Sequence, residues 1–544
     1  QEIWVLPPSR RERTDRFTKM EKHGKRERAS GLEVYPPAIT MNEQSGERTR
    51  SAFNWVHVRS MPVLMGFACL ACFGVVRAEP TGAPLDAPST ISIEDAVVLA
   101  LKRNHTVRIG EVEVRKAEEA VATASEPFEL TASLNAETFR SKQTGPSDYP
   151  YSVEGNRQTA TLSKQFTTGT AVELSAESTA YDGVPGDDHY ASVGVGLSQS
   201  LLRNRGFAAN RAPIRVAQRR ADYSREAFRQ LLIDTLSDTH YAYFDAILAE
   251  ENLRVAQESL ALARQLHEEN RRRSQVGSIA PSDLLQAEAE VALREERVYQ
   301  AEGDLVAARN RLKRMISDQM EGLVEWDFSL ASLPAPESRI MDLRGEYDVA
   351  CRERPDYRQA VISLDIADIE RIREENASLP ALDLYARMSF NGQSSDIGGG
   401  LSDSFDDTSP NYAVGLKLSR SIRNGSADAR AAMAGLERTR MRMTLSQLEQ
   451  SILLDLDSAI ARISSNWKRL ESARNSRVLA ERSLEAEQKR YQTGTSSTFV
   501  LIRLQTDLVN ARIRELVTGN EYRKSLIELD RQTGRILSDW NIEM

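Results

Sequence analysis

The sequence predicts a mainly α chain with a membrane β-barrel portion, built as a tandem repeat of long coiled-coil helices plus β-strands. Three observations carry that prediction. Long segments are dominated by Ala, Leu, Glu, Arg and Gln, with 40% hydrophobic, 28% charged and 6% aromatic residues, a mixture that favours long helices. Runs with a two-residue hydrophobic period interrupt those segments at two places. One helix-turn-helix pattern is also written twice, as RSQVGSIAPSDLLQAEAEV at 273–291 and RYQTGTSSTFVLIRLQTDLV at 490–509. Each copy has a basic residue, a polar step, a glycine (Gly277, Gly494), a short Ser/Thr/Ala run and a Leu-rich helical pattern.

From the N-terminus, residues 1–60 show no apolar periodicity and are expected to be an upstream leader that the mature protein lacks. Residues 61–78 begin MPVLMGFACLACFGVV, an apolar run with Arg59 upstream and the small Ala78 at its end, which reads as a secretory signal peptide. Cys72 follows Ala71 but has Cys69 where a lipoprotein signal wants Leu, which argues against lipidation. Cleavage after Ala78 leaves Cys351 alone, so no internal disulfide is expected. No later stretch reaches eighteen uncharged apolar residues, so no ordinary transmembrane helix is expected; an exported chain can still enter a membrane as strands.

The first repeat, 79–320, opens at Ser92 with Asp95 three residues on, a capping-box start, and helical periodicity runs to about Ser125 before Pro127. The period then becomes two. Phe128, Leu130, Ala132, Leu134 and Ala136 alternate with Glu129, Thr131, Ser133, Asn135 and Glu137, a strand with one apolar and one polar face. Strand-like runs follow at 158–167, 170–180 and 190–200, leaving 141–156 and 182–189 as longer loops and Thr168 and Gly169 in a short turn. Helical periodicity holds over 208–275, breaks at Gly277 and Pro281, and resumes over 284–316.

A Pro-containing acidic linker, 321–342, leads into the second repeat, 343–537. It repeats the order: a helix at 343–378, Pro380, the strand ALDLYARMSFNG, an acidic loop, the strand NYAVGLKLSRS and a helix at 426–492. Leu453, Leu456, Ile460, Ile463, Trp467 and Leu470 give that helix a coiled-coil seam. The tip and a returning helix precede a C-terminal tail, 538–544. Each long helix is roughly 100 Å at about 1.5 Å per residue, and in each repeat it is matched by two half-length ones. The linker therefore sits at the waist of a long bundle, and both glycine turns lie at the end farthest from the strands.

The residues exclude several functions. A formal charge of −8 with no domain-wide basic patch argues against nucleic acid as a partner. After signal cleavage His105, His189, His240 and His267 have no metal-pair spacing, so neither a metal nor a catalytic site is expected. Gly398 to Gly400 follow a strand but precede SDSFDDTSP, which is not the strand-to-helix context of a phosphate loop. Asp403, Asp406 and Asp407 read as a solvated acidic loop, with calcium binding the alternative.

Taken in order, ISIEDAVVLALKRNHTVR, the junction LSQSLLRNRG and the tips RRRSQVGSIAPSDLLQAEAE and KRYQTGTSSTFVLIRLQ, all behind a signal peptide, resemble the TolC-like outer-membrane efflux protein family over about 91–537. The resemblance implies a trimeric α/β barrel tunnel. Its β-barrel would lie in outer-membrane lipid and its helical tunnel in the periplasm, where it would meet an adaptor protein and an inner-membrane pump. No cofactor and no enzymatic reaction are implied. By the same resemblance, Gly277, Ser278, Asp283, Tyr491, Gly494 and Thr495 belong to the adaptor-facing tips. Val500 and Arg503 take the positions of two pore-facing aspartates in the constriction, and Gln286 follows Asp283 at the first tip. An acidic ring therefore cannot be carried over; an apolar and a basic ring would replace it, unless Arg503 pairs with an acidic neighbour. Ser200 and Ser421 stand where the family often has Pro.

The family's four strands per copy imply a twelve-strand barrel, with the surplus runs 158–167 and 170–180 forming a hairpin outside the wall. Six strands per copy, giving eighteen, is the alternative. A rival to the channel is a periplasmic coiled-coil scaffold or adaptor without a pore. Amphipathic strands placed twice at one end favour a barrel, whose closure satisfies every backbone group in lipid.

Overall fold

The structure is a computed structural model that describes residues 90–144, 150–182, 189–406, 410–540 and 542; the leader and the signal peptide lie outside them. Its strands are β1 (Thr90–Ile91), β2 (Leu130–Thr144), β3 (Pro150–Gln165), β4 (Thr170–Asp182), β5 (His189–Ser200), β6 (Ser329–Leu330), β7 (Ala381–Ser394) and β8 (Asn411–Ser419). Its helices are α1 (Ile93–Arg103), α2 (His105–Ser125), α3 (Phe207–Asn210), α4 (Ala212–Gln275), α5 (Pro281–Ile316) and α6 (Leu343–Glu353). Beyond these come α7 (Pro355–Ala377), α8 (Ile397–Asp406), α9 (Gly425–Gln492), α10 (Thr498–Thr533) and α11 (Ile536–Asp539). None of the described helices is long and apolar enough to cross a membrane.

The two 36-residue helices α5 and α10 return along the tip halves of the 64-residue α4 and the 68-residue α9. The strand halves are covered by α1 and α2 on α4, and by α6 and α7 on α9. The repeats meet because α4 packs on both α7 and α10, giving a layer four helices wide: α2, α4, α7, α9 near the strands and α5, α4, α10, α9 near the tips.

Each leading helix, expected as one piece, is broken. Asn104 leaves the helical region at ψ 123°, its side chain accepts the Thr106 N–H, and its amide donates to the Met315 carbonyl at 3.1 Å. In the second repeat Pro355 disfavours helical geometry at Arg354, whose guanidinium donates to the Gln532 carbonyl at 2.9 Å. Both breaks thus receive the C-terminus of a returning helix. Gly534, at φ +74°, ends α10 so close to this break that a Cβ would lie 2.9 Å from the Glu353 carbonyl.

The waist is tied further by a parallel pairing of β1 with β6, which the sequence did not suggest. The Tyr243 hydroxyl, fully buried on α4, lies 3.0 Å from the Ile91 carbonyl and 3.1 Å from that of Ala331. Around it Ile91, Leu312, Ile316 and Phe328 form a buried cluster, each side chain contributing about 1.5–3 kcal/mol by leaving water. Tyr522 and Arg523 of α10 hold the linker carbonyls of Glu337 and Pro334 at 2.7 and 2.8 Å.

Along α9 the buried seam is Ile452, Leu456, Ala459, Ile463, Asn466, Leu470 and Ala473. Leu453, expected in it, is 43% exposed, and Ile460 and Trp467 only flank it. The small Ala459 and polar Asn466 occupy seam positions that apolar counting passes over; the Asn466 amide donates to the Glu521 carbonyl at 3.4 Å.

The sheet differs more. β2 and β3 extend well beyond the expected runs, so most of 141–156 is hairpin arm rather than loop; its end, 145–149, and the segment 183–188 lie outside the described residues. All six long strands form one antiparallel sheet in the order β2-β3-β4-β5-β7-β8. The surplus hairpin β3–β4 is therefore inside the sheet, not beside it. The triglycine lies within α8 rather than in a loop. That helix packs on β7 and β5, where Gly392 and Gly400 approach so closely that a Cβ on Gly392 would lie 2.1 Å from the Gly400 oxygen. Asp407 lies outside the described residues.

Candidate functional site

Two places concentrate features that a helical bundle alone does not need. The first is the sheet. Because successive side chains alternate, its register sorts every strand into two faces. One carries Leu134, Ala160, Ala176, Val193 and Phe390 in a single row across five strands, with Leu382, Leu384, Val414, Leu416 and Leu418 continuing it. From Lys164 at the helical end to the Arg140–Glu154 pair at the far end, this face carries no charged residue on any described strand. Most of it is open to solvent, with Leu134 81% and Tyr412 82% exposed, while α8 covers its far end over Ala191 and Gly392. So large an uncovered apolar surface requires a non-aqueous neighbour.

The opposite face carries Thr131, Ser133, Thr161, Ser175, Ser198 and Ser389 with charged residues between them. Arg157 bridges Glu137 at 2.8 Å and Glu177 at 3.3 Å, linking three strands. Nearer the helices, Glu173, Tyr385 and Arg387 line a cleft of about 290 Å³. Gly415 lies under the Tyr385 ring, whose hydroxyl would be 2.5 Å from an added Cβ.

The second place is the far end of the bundle, where the two glycine turns are built alike. Gly277 donates to the Ser274 carbonyl and Ser278 to that of Arg273, at 3.0 and 2.8 Å; Gly494 donates to Tyr491 and Thr495 to Arg490, at 3.1 and 2.9 Å. This is the Schellman ending of a helix, which needs a left-handed residue at the glycine, and φ is +78° and +74° there. Open space surrounds both glycines, and Val276, Leu285 and Phe499 are exposed nearby. Asp283 lies in the first turn of α5, where a carboxylate interacts favourably with the positive end of the helix dipole. Ser497 caps α10 by accepting the Val500 N–H.

Of the tip residues singled out from sequence, Gly277, Ser278, Gly494 and Thr495 are on the exposed turns, whereas Tyr491 is buried. Its hydroxyl donates to the Asn270 Oδ1 and lies 3.3 Å from the Thr498 hydroxyl; the Asn270 amide donates to Thr498 at 3.2 Å, and the Arg273 guanidinium covers the ring at 4.5 Å. Asn270, Arg273 and Thr498 were not among the sequence candidates. Asn270 was detectable only as a polar residue in register with Ala263 and Leu266 on the buried seam of α4. Val500 and Arg503 sit one turn apart on the exposed side of α10, and Arg503 forms no ion pair with any described residue.

Elsewhere polar groups serve packing. His240 is buried on α4, its Nδ1 2.7 Å from the Leu236 carbonyl, and burial lowers its pKa. At the waist, burial raises the Asp530 carboxyl to about 6, although Arg339 at 3.4 Å acts the other way. Among the described residues no three His, Cys, Asp or Glu side chains are grouped to hold a metal.

The outer membrane efflux protein pattern matches residues 96–317 and 347–535, once in each repeat, with the waist segment between the matches. Alkaline protease secretion protein AprF of Pseudomonas aeruginosa is 24% identical over 355 residues, covering 62% of this chain and 66% of AprF, just under two thirds of its length. Two solved folds superpose over most of the chain. The Campylobacter jejuni CmeC outer membrane channel has a TM-score of 0.63 at 17% identity, covering 83% of this chain and 90% of its own. The Vibrio cholerae outer membrane protein VceC has 0.61 at 14%, covering 81% and 96%.

Proposed function

Because the chain belongs to the outer membrane efflux protein family, we propose that it is the outer-membrane channel-tunnel of a tripartite efflux or type I secretion system. In this reading three copies join into one tube, with the sheets as the barrel in lipid and the long helices as a periplasmic tunnel. Substrates delivered by an inner-membrane pump through a periplasmic adaptor leave passively, so the protein needs neither a cofactor nor a catalytic group.

The single observation that carries this is the sorting of the six-stranded sheet into an uncharged, exposed apolar face and a polar face. A strand in a membrane barrel alternates between lipid and a water-filled interior, and closure removes the unpaired edges that β2 and β8 otherwise present. An adaptor or scaffold without a pore has no use for such a sheet. The tips at Gly277 and Gly494 are the adaptor-facing surface in this reading, and Val500 with Arg503 the constriction.

Expression in a Gram-negative host tests it. The mature protein should fractionate with the outer membrane, migrate faster unheated than boiled, and give a trimer by native mass spectrometry in detergent. A soluble periplasmic monomer would refute the channel and leave the scaffold.

A further inference from the structure

The channel reading leaves the number of strands in the barrel open, and the structure speaks to it through three observations. The hairpin β3–β4 is paired on both sides, β3 with β2 over fifteen residue pairs and β4 with β5 over eleven. Its faces continue those of its neighbours: Leu162, Ala160, Leu174 and Ala176 on the apolar side, Thr161, Arg157, Glu173 and Glu177 on the polar side. Its turn is also built into the junction with the helices. The buried Asn210 amide donates to the Thr167, Asn204 and Gly206 carbonyls at 3.2, 2.7 and 2.8 Å, and Ser200 donates to the Gly169 carbonyl at 3.0 Å. Gly169, at φ +86°, lies so near the Asn204 oxygen that a Cβ would be 2.3 Å from it. An appendage outside a wall has none of these ties.

The widths agree. The helical layer is α2, α4, α7, α9, and the strands that continue these helices, β2, β5, β7 and β8, keep the same order, with β3 and β4 inserted between the first two. Four helices packed at about 9–10 Å span roughly 38 Å of arc per copy. Six strands about 4.8 Å apart, tilted by about 40°, span nearly the same, and four at that tilt span about 25 Å. Six is also even, so β8 of one copy and β2 of the next run antiparallel and can pair.

Resting on the channel reading, we propose that the protein closes as an eighteen-stranded barrel, with the hairpin β3–β4 contributing one third of the wall. Its backbone diameter is then about 36 Å, against about 24 Å for twelve strands. The barrel then matches the helical tunnel in width, and its exit lumen is wider than that of a twelve-strand barrel of the same tilt.

Disulfide trapping in a Cys351→Ser background tests this. Leu134, Ala160, Ala176 and Val193 lie in one row, each directly opposite the next. Cysteine pairs Leu134→Cys/Ala160→Cys and Ala176→Cys/Val193→Cys are within disulfide reach in the six-stranded sheet, whereas Leu134→Cys/Val193→Cys is three strands apart, about 14 Å, and beyond it. In outer-membrane trimers the first two pairs should oxidise nearly completely and the third stay at background. Leu134→Cys combined in turn with cysteine at Tyr412, Val414 or Leu416 should give covalently linked copies for at least one combination. A trimer in which the Leu134/Val193 pair oxidises, or in which either of the first two pairs stays reduced, overturns the eighteen-strand wall and leaves the channel intact. A monomer overturns the channel reading itself, and this inference with it.

Discussion

The buried polar group at the tips makes the sharpest test of how the two repeats are held together there. Asn270 is fully buried and bonds both the Tyr491 hydroxyl and Thr498, joining the end of α4 to the turn between α9 and α10. Asn270→Ala removes two neutral hydrogen bonds and leaves the Tyr491 hydroxyl with only the 3.3 Å approach to Thr498. Two lost bonds at about 1 kcal/mol each, plus part of the desolvation of a stranded hydroxyl, give about 2–3 kcal/mol. The cost falls on local opening of the tip, so amide exchange in segments 266–276 and 484–498 should quicken by roughly 30- to 150-fold. Tyr491→Phe should cost about 1–2 kcal/mol, and the double variant should fall short of the sum of the two by about 1 kcal/mol, because both remove the same bond. Hydrogen–deuterium exchange with mass spectrometry on the detergent-solubilised trimer reads this directly, with the waist segment around Tyr243 as an internal reference. Exchange at the tips within threefold of wild type in Asn270→Ala would refute the reasoning. An equal rise at the waist would show that the loss is global.

Three other outcomes follow from the same geometry. Arg503→Asp inverts one charge per copy and three around a trimer; wild type should favour anions in planar bilayers under a salt gradient, and the variant should shift the reversal potential toward cations. An unmoved preference would take Arg503 out of the constriction. Ser278→Trp or Thr495→Trp, on turns with open space around them, should weaken adaptor cross-linking while leaving trimer abundance unchanged; equal loss of both would mean a folding role. Because folding raises the Asp530 carboxyl to about 6, the folded state holds that proton more tightly, and the burial penalty present above pH 6 lifts as pH falls through 6 toward 3.8. The gain in thermal stability between pH 7 and 5 should therefore shrink in Asp530→Asn, as differential scanning fluorimetry would record.

The sequence made the long helices and the glycine turns legible because their signals are local: a 3.6-residue period, and a glycine where the chain must turn left-handed. The strands around Leu134 and Val193 were legible for the same reason, since alternation is written in neighbouring residues. What escaped depends on partners distant in the chain. β2 continues past Glu137 through polar residues because β3 supplies the matching backbone and the Arg140–Glu154 pair, not because its own side chains alternate. α8, helical despite three consecutive glycines, packs Gly400 against Ala191 of β5, a partner far back in the chain. Asn104 reads as one more polar residue on a helix until Met315, far along the chain, presents a carbonyl to it. The break at Arg354 was written locally, in Pro355, and is the one signal of this kind that the periodicity masked. Of the proposed site, the turns were visible and the buried Asn270–Thr498 contact was not, since a polar residue on a seam is silent until its partner is known.

The two helix breaks at the waist set a mechanical ratio. Each returning helix ends against a break, through Met315 on Asn104 and through Gln532 and Gly534 on Arg354, while its partner α4 or α9 runs unbroken past the waist. From that seat a 36-residue helix reaches about 54 Å to its turn. A pivot of about 5° at the waist, taken up by a few dihedral angles, then sweeps the turn through roughly 5 Å, close to one full helical pitch. The same pivot hardly moves the residues beside Tyr243. The lever is long on one side only: any tilt of a returning helix about its waist seat would carry Gly277 or Gly494 much farther than Asn104 or Arg354.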